Sequence, residues 1–279
     1  MTGRERGFLL LRSQLGDPKR KPLTQAQLRT LRERVRSAAP TRAYGELEVE
    51  DLTALGYRED VAAHIVGLLK EEDTLDRYLD WGARQGCAPI AQTSDCYPMR
   101  ALVCLGGDAP GCLWAKGDLS ILEGDKIALV GSRDLGISNA QFARRVGEYA
   151  AENDLVLVSG NARGADQTAQ EACLANGGKV ISVVADELYR QRERERVLYL
   201  SEEDFDAHFS ARRALSRNRI IHCLGNTTFV AQCGYRKGGT WDGAVNNLKN
   251  GWSTLRCYDD GSPAMRELED LGAILIETL

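Results

Sequence analysis

The sequence predicts an α/β protein in which a smaller helical N-terminal domain precedes a Rossmann-like, doubly wound parallel sheet. From residue 125 onward, short continuous apolar segments alternate with helical-looking segments of about ten to fifteen residues. This alternation is typical of a parallel sheet with helices on both faces. Before residue 87 the apolar residues recur at helical spacing alone. We therefore predict a helical domain at 1–86, a connector at 87–122 and a Rossmann domain at 123–279.

Three helical stretches are predicted in the N-terminal domain. The first, at 24–37, opens with the T-x-x-Q pattern of a capping box, and a loop around Pro40 ends it. Segment 52–69 predicts a short helix ending near Gly56 and a longer one after it, and a third amphipathic stretch covers 73–86. Short helices broken at a glycine resemble a SAM-like or helix-hairpin-helix module, and a plain helical bundle satisfies the same pattern.

The connector mixes brief apolar runs with turn residues and predicts one or two strands. Beyond it, the rhythm of strands and helices is interrupted only by the charged stretch 185–210, whose RQRERER run is interpreted as the solvated face of a helix. The Rossmann domain should then hold about six strands. These strands are predicted at 127–130, 155–160, 179–184, 227–233, 253–259 and 273–279, and the helices at 138–153, 165–177, 211–225, 240–250 and 262–272.

Composition narrows the function classes. The chain has 279 residues, 43% of them hydrophobic and 27% charged, with a net charge of −4, so any contact with nucleic acid must be a local basic patch. The N-terminal apolar run is too short for a signal sequence and no segment is long enough to cross a membrane, so we expect a cytoplasmic protein. The eight cysteines form no C-x-x-C pair, which predicts buried thiols and no metal site.

Three loops that follow predicted strands combine glycine, a hydroxyl or amide group, and a cation. In an open parallel sheet, ligands bind outside the carboxyl ends of the strands, where such loops meet. Backbone N–H groups, hydroxyl groups and guanidinium groups together suit phosphate oxygens. The candidate anion-binding residues are Gly131, Ser132 and Arg133 in the first loop, Ser159, Gly160, Arg163 and Gly164 in the second, and Lys237, Gly238, Gly239 and Thr240 in the third.

Cofactor and catalytic motifs are missing from these loops. No G-x-G-x-x-G follows the first strand and no P-loop pattern occurs, which argues against binding of NAD or FAD and against Walker-type ATP hydrolysis. The three histidines show no partner pattern for general-base chemistry. We therefore expect no cofactor, no metal and no catalysis.

The segment SRNRII predicts a helix with cations on two faces. Arg213 and Arg217 are four residues apart and share a face, whereas Arg217 and Arg219 diverge by roughly 200°. We expect Arg217 to face the sheet edge and Arg219 to brace the fold or a partner chain, while Asn218 ties backbone groups together. Arg213, Arg217 and Asn218 complete the set of candidate anion-binding residues.

These motifs resemble the DNA-processing protein A family, known as DprA or Smf. The resemblance is carried by VGSR, SGNARGAD, RNRII and KGGT, together with DCYP at 95–98 and LWAKGD at 113–118. It implies a non-enzymatic, homodimeric protein that binds single-stranded DNA and loads a RecA-type recombinase during transformation or recombination. The family's pocket residues correspond to Ser132, Arg133, Arg163 and Lys237, with Phe209 as the candidate for stacking on a base.

The chain also departs from the family pattern. Gln170 stands where the family has histidine, Phe209 lies eight residues before Arg217, and the third loop reads KGGTWDGA. These departures keep open a DprA-like antitoxin or nucleotide-sensing regulator of anti-phage defence, which would act with a cognate toxin. A third alternative is a LOG-like nucleotide phosphoribohydrolase. Enzymes of that class carry a PGG-x-GT motif, to which KGGT is similar. Against it, Asp166 is expected to order the second loop rather than to act on a substrate.

Overall fold

One mixed β-sheet with helices on both faces organises the part of the chain that the computed structural model describes, residues 1–38 and 47–279. The loop predicted around Pro40 lies outside these residues. The strands are β1 (Cys87–Ala91), β2 (Cys112–Lys116), β3 (Lys126–Val130), β4 (Val156–Ser159), β5 (Lys179–Val183), β6 (Val197–Ser201), β7 (Thr227–Val230), β8 (Thr254–Tyr258) and β9 (Ile274–Ile276). The helices are α1 (Gly3–Arg12), α2 (Gln25–Ala38), α3 (Val49–Ala54), α4 (Glu59–Leu69), α5 (Glu72–Arg84), α6 (Met99–Leu105), α7 (Ile137–Glu152), α8 (Ala165–Ala175), α9 (Ala211–Leu224), α10 (Gly239–Asn250) and α11 (Pro263–Asp270).

The strand order defines where a ligand can bind. It reads β1-β2-β6-β5-β4-β3-β7-β8-β9, and all neighbours are parallel except β1 with β2 and β2 with β6. From β3, the chain runs outward through β4 and β5 on one side and through β7 and β8 on the other. The doubly wound α/β fold is therefore confirmed, and its chain reversal lies at β3, the usual position of a ligand crevice.

Alternate residues of the strands enter two separate cores. In β3, Ile127 and Leu129 pack under α7 and α8, whereas Ala128 and Val130 pack under α9, α10 and α11. Both faces of this strand are buried, which explains its uninterrupted apolar sequence.

The N-terminal helices share the first of these cores with the sheet. The ring of Phe205, beyond the end of β6, lies 4.6 Å from the ring of Tyr78 in α5 and 4.8 Å from that of Trp114 in β2. The predicted capping box of α2 is confirmed, since the Thr24 N–H donates to Gln27 Oε1 at 2.8 Å and the Gln27 N–H donates to Thr24 Oγ1 at 3.3 Å. Helix α1, which the sequence interpretation overlooked, buries four consecutive apolar residues in the same core.

One sequence expectation about the sheet needs correction. The charged stretch 185–210 contains the fully buried strand β6, and its RQRERER run is an exposed irregular segment rather than a helix. The apolar run VLYL just after those charges was the missed signal. The one or two strands predicted at 87–122 are present as β1 and β2. They extend the same sheet through antiparallel pairing, so that nine strands form one sheet in the described residues.

Cysteines, metal sites and membrane spans can be assessed over residues 1–38 and 47–279. Five of the eight cysteines are buried, as expected, and all are free thiols. This part of the chain holds no group of three or more histidine, cysteine or acidic residues placed to bind a metal ion. None of its helices has both the length and the apolar composition needed to cross a membrane.

Candidate anion-binding cleft at the sheet edge

An open cleft of about 450 Å³ lies at the carboxyl ends of β3, β4 and β5. Its walls come from the loops after these strands and from the segment that leads into α9. We call it the strand-end cleft. It is lined by Arg133, Gly160, Asn161, Ala162, Arg163, Ala185, Asp186, Phe209, Ala214 and Arg217.

The loops after β3 and β4 interlock behind the cleft. The Ala165 N–H at the start of α8 donates to the Ser132 carbonyl at 3.1 Å. Gly164 has a φ of +88°, and a Cβ there would lie 2.5 Å from the carbonyl oxygens of Ser132 and Arg133. Because only glycine fits at this crossing, Gly131, Ser132 and Gly164 serve to hold the two loops together.

Three backbone N–H groups of these loops are already used inside the protein, which corrects the expectation that they face an anion. The Gly160 and Ala162 N–H groups donate to Asp166 Oδ2 at 3.1 and 3.2 Å. The Ser132 N–H donates to the Gln232 carbonyl at 2.9 Å. Asp166 therefore orders the second loop, as predicted, and burial raises the pKa of its carboxyl against the opposing effect of Arg217. Side-chain cations are left as the main anion-binding groups.

Ser159 does not reach the cleft, which corrects its assignment as a binding residue. Its side chain is fully buried, and its hydroxyl accepts a hydrogen bond from Gln170 Nε2 at 2.6 Å. The same amide group lies 3.4 Å from the Ser182 hydroxyl. Gln170, at the position where the family has histidine, thus joins β4 to β5 beneath the cleft.

Arg217 forms the floor of the cleft and is 7% exposed. Its Nη1 donates to the Val183 carbonyl at 2.8 Å, and its Nε is buried without a hydrogen-bond partner in the described structure. The guanidinium lies where a side chain on Gly160 would be, since a Cβ there would be 1.6 Å from Nη1. Burial lowers the pKa of Arg217, and no carboxylate of the described residues forms an ion pair with it. A buried cation of this kind is well placed to bind an anion.

Two further arginines lie higher in the cleft. Arg133 is exposed and makes no hydrogen bond or ion pair among residues 1–38 and 47–279. Arg163 Nη2 contacts Asp134 Oδ1 at 2.7 Å, but the two side chains are 73% and 87% exposed. Such an exposed ion pair contributes little to the stability of the protein, so a phosphate can replace Asp134 as the partner of Arg163.

Phe209 is 57% exposed and lies in the wall of the cleft. The turn that presents it is fixed on both sides. Ser210 caps α9 by accepting from the Arg213 N–H at 3.2 Å, and the Arg213 guanidinium donates to the His208 carbonyl. His208 Nδ1 in turn lies 2.7 Å from Glu187 Oε1. The structure thus brings the predicted stacking residue together with the arginines, and it gives Arg213 a supporting position.

The loop after β7 lies on the far side of β3, and its residues do not line the cleft. Thr240 Oγ1 donates to the Gly131 carbonyl at 3.0 Å, and Asn218 Nδ2 donates to the Gly239 carbonyl at 3.1 Å. Both groups tie the loop in place, as expected for Asn218, so the Thr240 hydrogen is not free for a phosphate. Lys237 is exposed one strand away from the cleft and has no polar side-chain partner in the described residues. Gly238 and Gly239 begin α10 beside it.

Arg219 behaves as the sequence predicted, and His222 belongs to the core. Arg219 braces the fold, donating to the Asp108 carbonyl at 2.7 Å and to Glu202 Oε2 at 2.8 Å. His222 is completely buried, and burial lowers its pKa to about 4, which makes it a neutral core residue.

Sequence reasoning missed Asn161 and Asp186. Asn161 was inside a recognised loop but was not singled out. Asp186 follows β5 as directly as Arg133 follows β3, so the same strand-end argument applied to β5 would have found it.

Together, the fold and the cleft define a doubly wound α/β protein with a cationic, aromatic-walled site at the carboxyl edge of its sheet. Residues 89–253 match the family model for DNA recombination-mediator protein A. Because the match spans more than half of the chain, the protein belongs to this family, which confirms the resemblance to DprA and Smf.

Individual relatives agree with this assignment. DNA processing protein DprA from Streptococcus pneumoniae is 35% identical over 159 residues, which are 52% of this chain and 54% of that protein. The chain thus matches about half the length of this curated relative. The crystal structure of S. pneumoniae DprA superposes with a TM-score of 0.76 at 26% identity, covering 100% of this chain and 95% of that chain. DprA from Helicobacter pylori, studied for its single-stranded DNA binding mode, shares the fold with a TM-score of 0.59 at 24% identity, over 69% of this chain and 91% of that chain.

Proposed function

We propose that the protein binds single-stranded DNA without catalysis and acts in DNA processing and recombination. The observation that carries this proposal is the strand-end cleft, in which Arg217 and Arg133 lack ion-pair partners among the described residues while Phe209 stands exposed beside them. A cationic track for the backbone and an aromatic platform for a base are the two parts that binding of single strands requires.

The charge distribution favours a strand over a duplex. The net charge is −4, which argues against a broad basic surface on which duplex DNA is held by many phosphate contacts. Within the described residues, the strand-end cleft holds Arg133 and Arg217 without ion-pair partners, and the exposed Lys237 lies one strand away. A single strand can follow this short path, with one base on Phe209 and its neighbouring phosphates on Arg133, Arg163 and Lys237.

Membership of the DNA recombination-mediator protein A family supports the same role. The related H. pylori protein has a described single-stranded DNA binding mode. Within this proposal, a homodimer presents the bound strand to a RecA-type recombinase in the cytoplasm.

Titration of labelled oligo-dT at two salt concentrations tests the function. We expect binding at low salt that weakens steeply as salt rises. Each contact between a cation of the protein and a phosphate releases a counterion from the DNA, and added salt opposes this release. Combined Arg133→Ala and Lys237→Ala substitutions should abolish it. Arg58→Ala together with Lys70→Ala, on the N-terminal helices, removes the same charge and should leave binding intact. Absence of binding at low salt by the wild-type protein would overturn the proposal.

A second candidate is a regulator that senses a nucleotide-derived ligand beside a cognate toxin. The size of the cleft favours it, since about 450 Å³ suits a single small ligand. Calorimetric titration with nucleoside monophosphates should then show binding, and added oligo-dT should not compete with it. Under either candidate, incubation with these nucleotides should release no free base, in contrast to a phosphoribohydrolase.

A further inference from the structure

Asp186 places a carboxylate inside a cleft that is otherwise cationic. It follows β5, lines the strand-end cleft with Phe209 and Arg217, and forms no ion pair within the described residues. A free carboxylate repels phosphate, so its presence does not help to bind the backbone of a nucleic acid. It does offer a strong hydrogen-bond acceptor to a group that donates.

A directed chain of hydrogen bonds fixes this carboxylate. Asn161 Nδ2 donates to Gln191 Oε1 at 3.4 Å, and Gln191 Nε2 donates to Asp186 Oδ1 at 3.2 Å. Both amide groups are therefore oriented, and each spends a donor on its neighbour. Asp186 Oδ2 and Asn161 Oδ1 remain as acceptors without a partner in residues 1–38 and 47–279. This wall of the cleft accepts hydrogen bonds.

We propose that Asp186 reads the edge of the base held in the cleft and selects bases that present hydrogen-bond donors, guanine above all. This inference rests on the proposed nucleic-acid function and adds to it a preference for one base. A base stacked on Phe209 turns its edge away from the ring, toward the other walls of the cleft. Guanine presents N1–H and N2–H₂ side by side, which suits a carboxylate and a neighbouring carbonyl oxygen. Thymine presents its one N–H between two carbonyl oxygens, which these acceptors repel.

Asp186 also lies within electrostatic range of Arg217 and favours its charged form. A role limited to charge balance would change affinity for all strands equally. A role in reading the base changes the ratio of affinities between strands that differ in one base. The ratio therefore separates the two roles.

The experiment compares two labelled 12-mers, one of thymine only and one with a single central guanine, by fluorescence anisotropy at low salt. The strand can slide, so the guanine can occupy the cleft. We expect the guanine strand to bind about fivefold to tenfold more tightly, the lower part of the range for one well-formed base contact. Asp186→Asn should remove or invert this ratio. Gln191 would then donate to the new amide oxygen, and the new NH₂ group would face the cleft as a donor suited to thymine.

Asp134→Asn is the matched control, because it also removes one negative charge at the cleft but from the exposed partner of Arg163. Both variants should strengthen binding of the thymine strand, and only Asp186→Asn should change the ratio. Thermal unfolding verifies that each variant is folded. Equal affinity of wild-type protein for the two strands overturns the inference and leaves the DNA-binding function standing.

Competition with dGMP and dTMP shows whether the cleft recognises the base only within a strand or also in a free nucleotide. If neither 12-mer binds, calorimetric titration with the two mononucleotides tests whether the cleft reads the base. Preference for dGMP then supports reading of the base while the DNA-binding function fails, and absence of binding by both overturns the inference as well.

Discussion

Two clefts flank the segment 207–213, and both contain several arginines, yet three carboxylates line one cleft and a single carboxylate lines the other. The second, which we call the N-terminal cleft, measures about 540 Å³ and lies between residues 12–26 and residues 202–219. In the strand-end cleft, Arg217 has a backbone carbonyl as its hydrogen-bond partner. In the N-terminal cleft, Arg219 is held by Glu202, and the carboxylates of Glu203 and Asp204 lie nearby. The number of arginines therefore says less about anion binding than the carboxylates beside them.

The environments of Arg217 and Arg219 show the physical cause. The Glu202 side chain is 4% exposed and requires the charge of Arg219, because a buried carboxylate without a partner is costly. Arg217 forms no ion pair with a carboxylate of the described residues, although Asp166 and Asp186 favour its charged form from a distance. Its hydrogen-bond partner is the Val183 carbonyl. One arginine stabilises the fold, and the other is available to a ligand.

The strongest test of this comparison separates stability from binding. Arg219→Met should lower the free energy of unfolding by about 3 kcal/mol, because Glu202 loses its buried partner, and should leave affinity for oligo-dT unchanged. Arg217→Met should alter stability by no more than about 1 kcal/mol but weaken binding about tenfold, the effect of losing one charged hydrogen bond. Urea unfolding and fluorescence anisotropy measure the two quantities.

Addition of Glu202→Gln to Arg219→Met is the control, and it should recover part of the lost stability. The comparison between the clefts fails if Arg219→Met weakens DNA binding in a stably folded protein, or if Arg217→Met binds as well as wild type.

A smaller effect is expected from the aromatic wall of the strand-end cleft. Phe209→Ala should weaken binding of oligo-dT by about 1–3 kcal/mol, the contribution of one stacked base. Phe209→Tyr retains the ring and should bind like wild type. Leu215→Ala, at another exposed apolar residue of the same region, provides the control. Equal affinities of Phe209→Ala and wild-type protein would show that no base stacks there.

The smallest expected effect concerns the acidic character of the N-terminal cleft. Burial raises the pKa of the Asp204 carboxyl to about 6 from its ordinary value of 3.8, although its Oδ2 accepts from the Gln14 N–H at 2.7 Å. The folded state thus binds this proton more tightly than the unfolded state, so the stability from Asp204 is present below pH 3.8 and is lost as pH rises through about 6. Asp204→Asn, which keeps the acceptor, should raise the free energy of unfolding at pH 7 by about 1 kcal/mol after allowance for partial solvent exposure.

Urea unfolding at pH 7 and pH 4 measures this change, and the gain should shrink at the lower pH. His222, with its pKa lowered to about 4, destabilises the folded protein as pH falls from 6.5. This effect is the same in the wild-type protein and in Asp204→Asn, so it cancels when their free energies of unfolding are subtracted. A gain of equal size at both pH values would contradict the assignment to Asp204.

Much of the fold could be predicted because its signals are local. Continuous apolar strands, glycine at strand ends and the capping box at Thr24 each depend on a few consecutive residues. Strand β6 was missed because its short apolar run directly follows a dense run of charges that favoured a solvated helix. The placement of β1 and β2 could not be predicted, since β2 joins the sheet by antiparallel pairing with β6, about 85 residues away, which leaves no local pattern.

The candidate site was predictable in outline and not in its chemistry. Gly131 to Arg133 and Gly160 to Gly164 were correctly placed at one edge of the sheet. That Asp166 consumes the loop N–H groups, and that Ser159 is buried beneath Gln170, depends on side-chain packing that strand ends do not specify. Asp186 follows a strand that the sequence did predict, but its place in the same cleft depends on β5 lying beside β4.

The sequence by itself determined that the chain forms a doubly wound sheet with cationic loops at its carboxyl edge, because helical and strand periodicity and loop composition are properties of neighbouring residues. Only the tertiary structure decided which cations are free. Arg217 and Arg219 stand in one RNR motif, yet Arg219 is neutralised by Glu202, 17 residues away, and held by the Asp108 carbonyl, 111 residues away. Electrostatic pairing acts through space, so the availability of a charge is fixed by the folded neighbours and not by the motif that contains it.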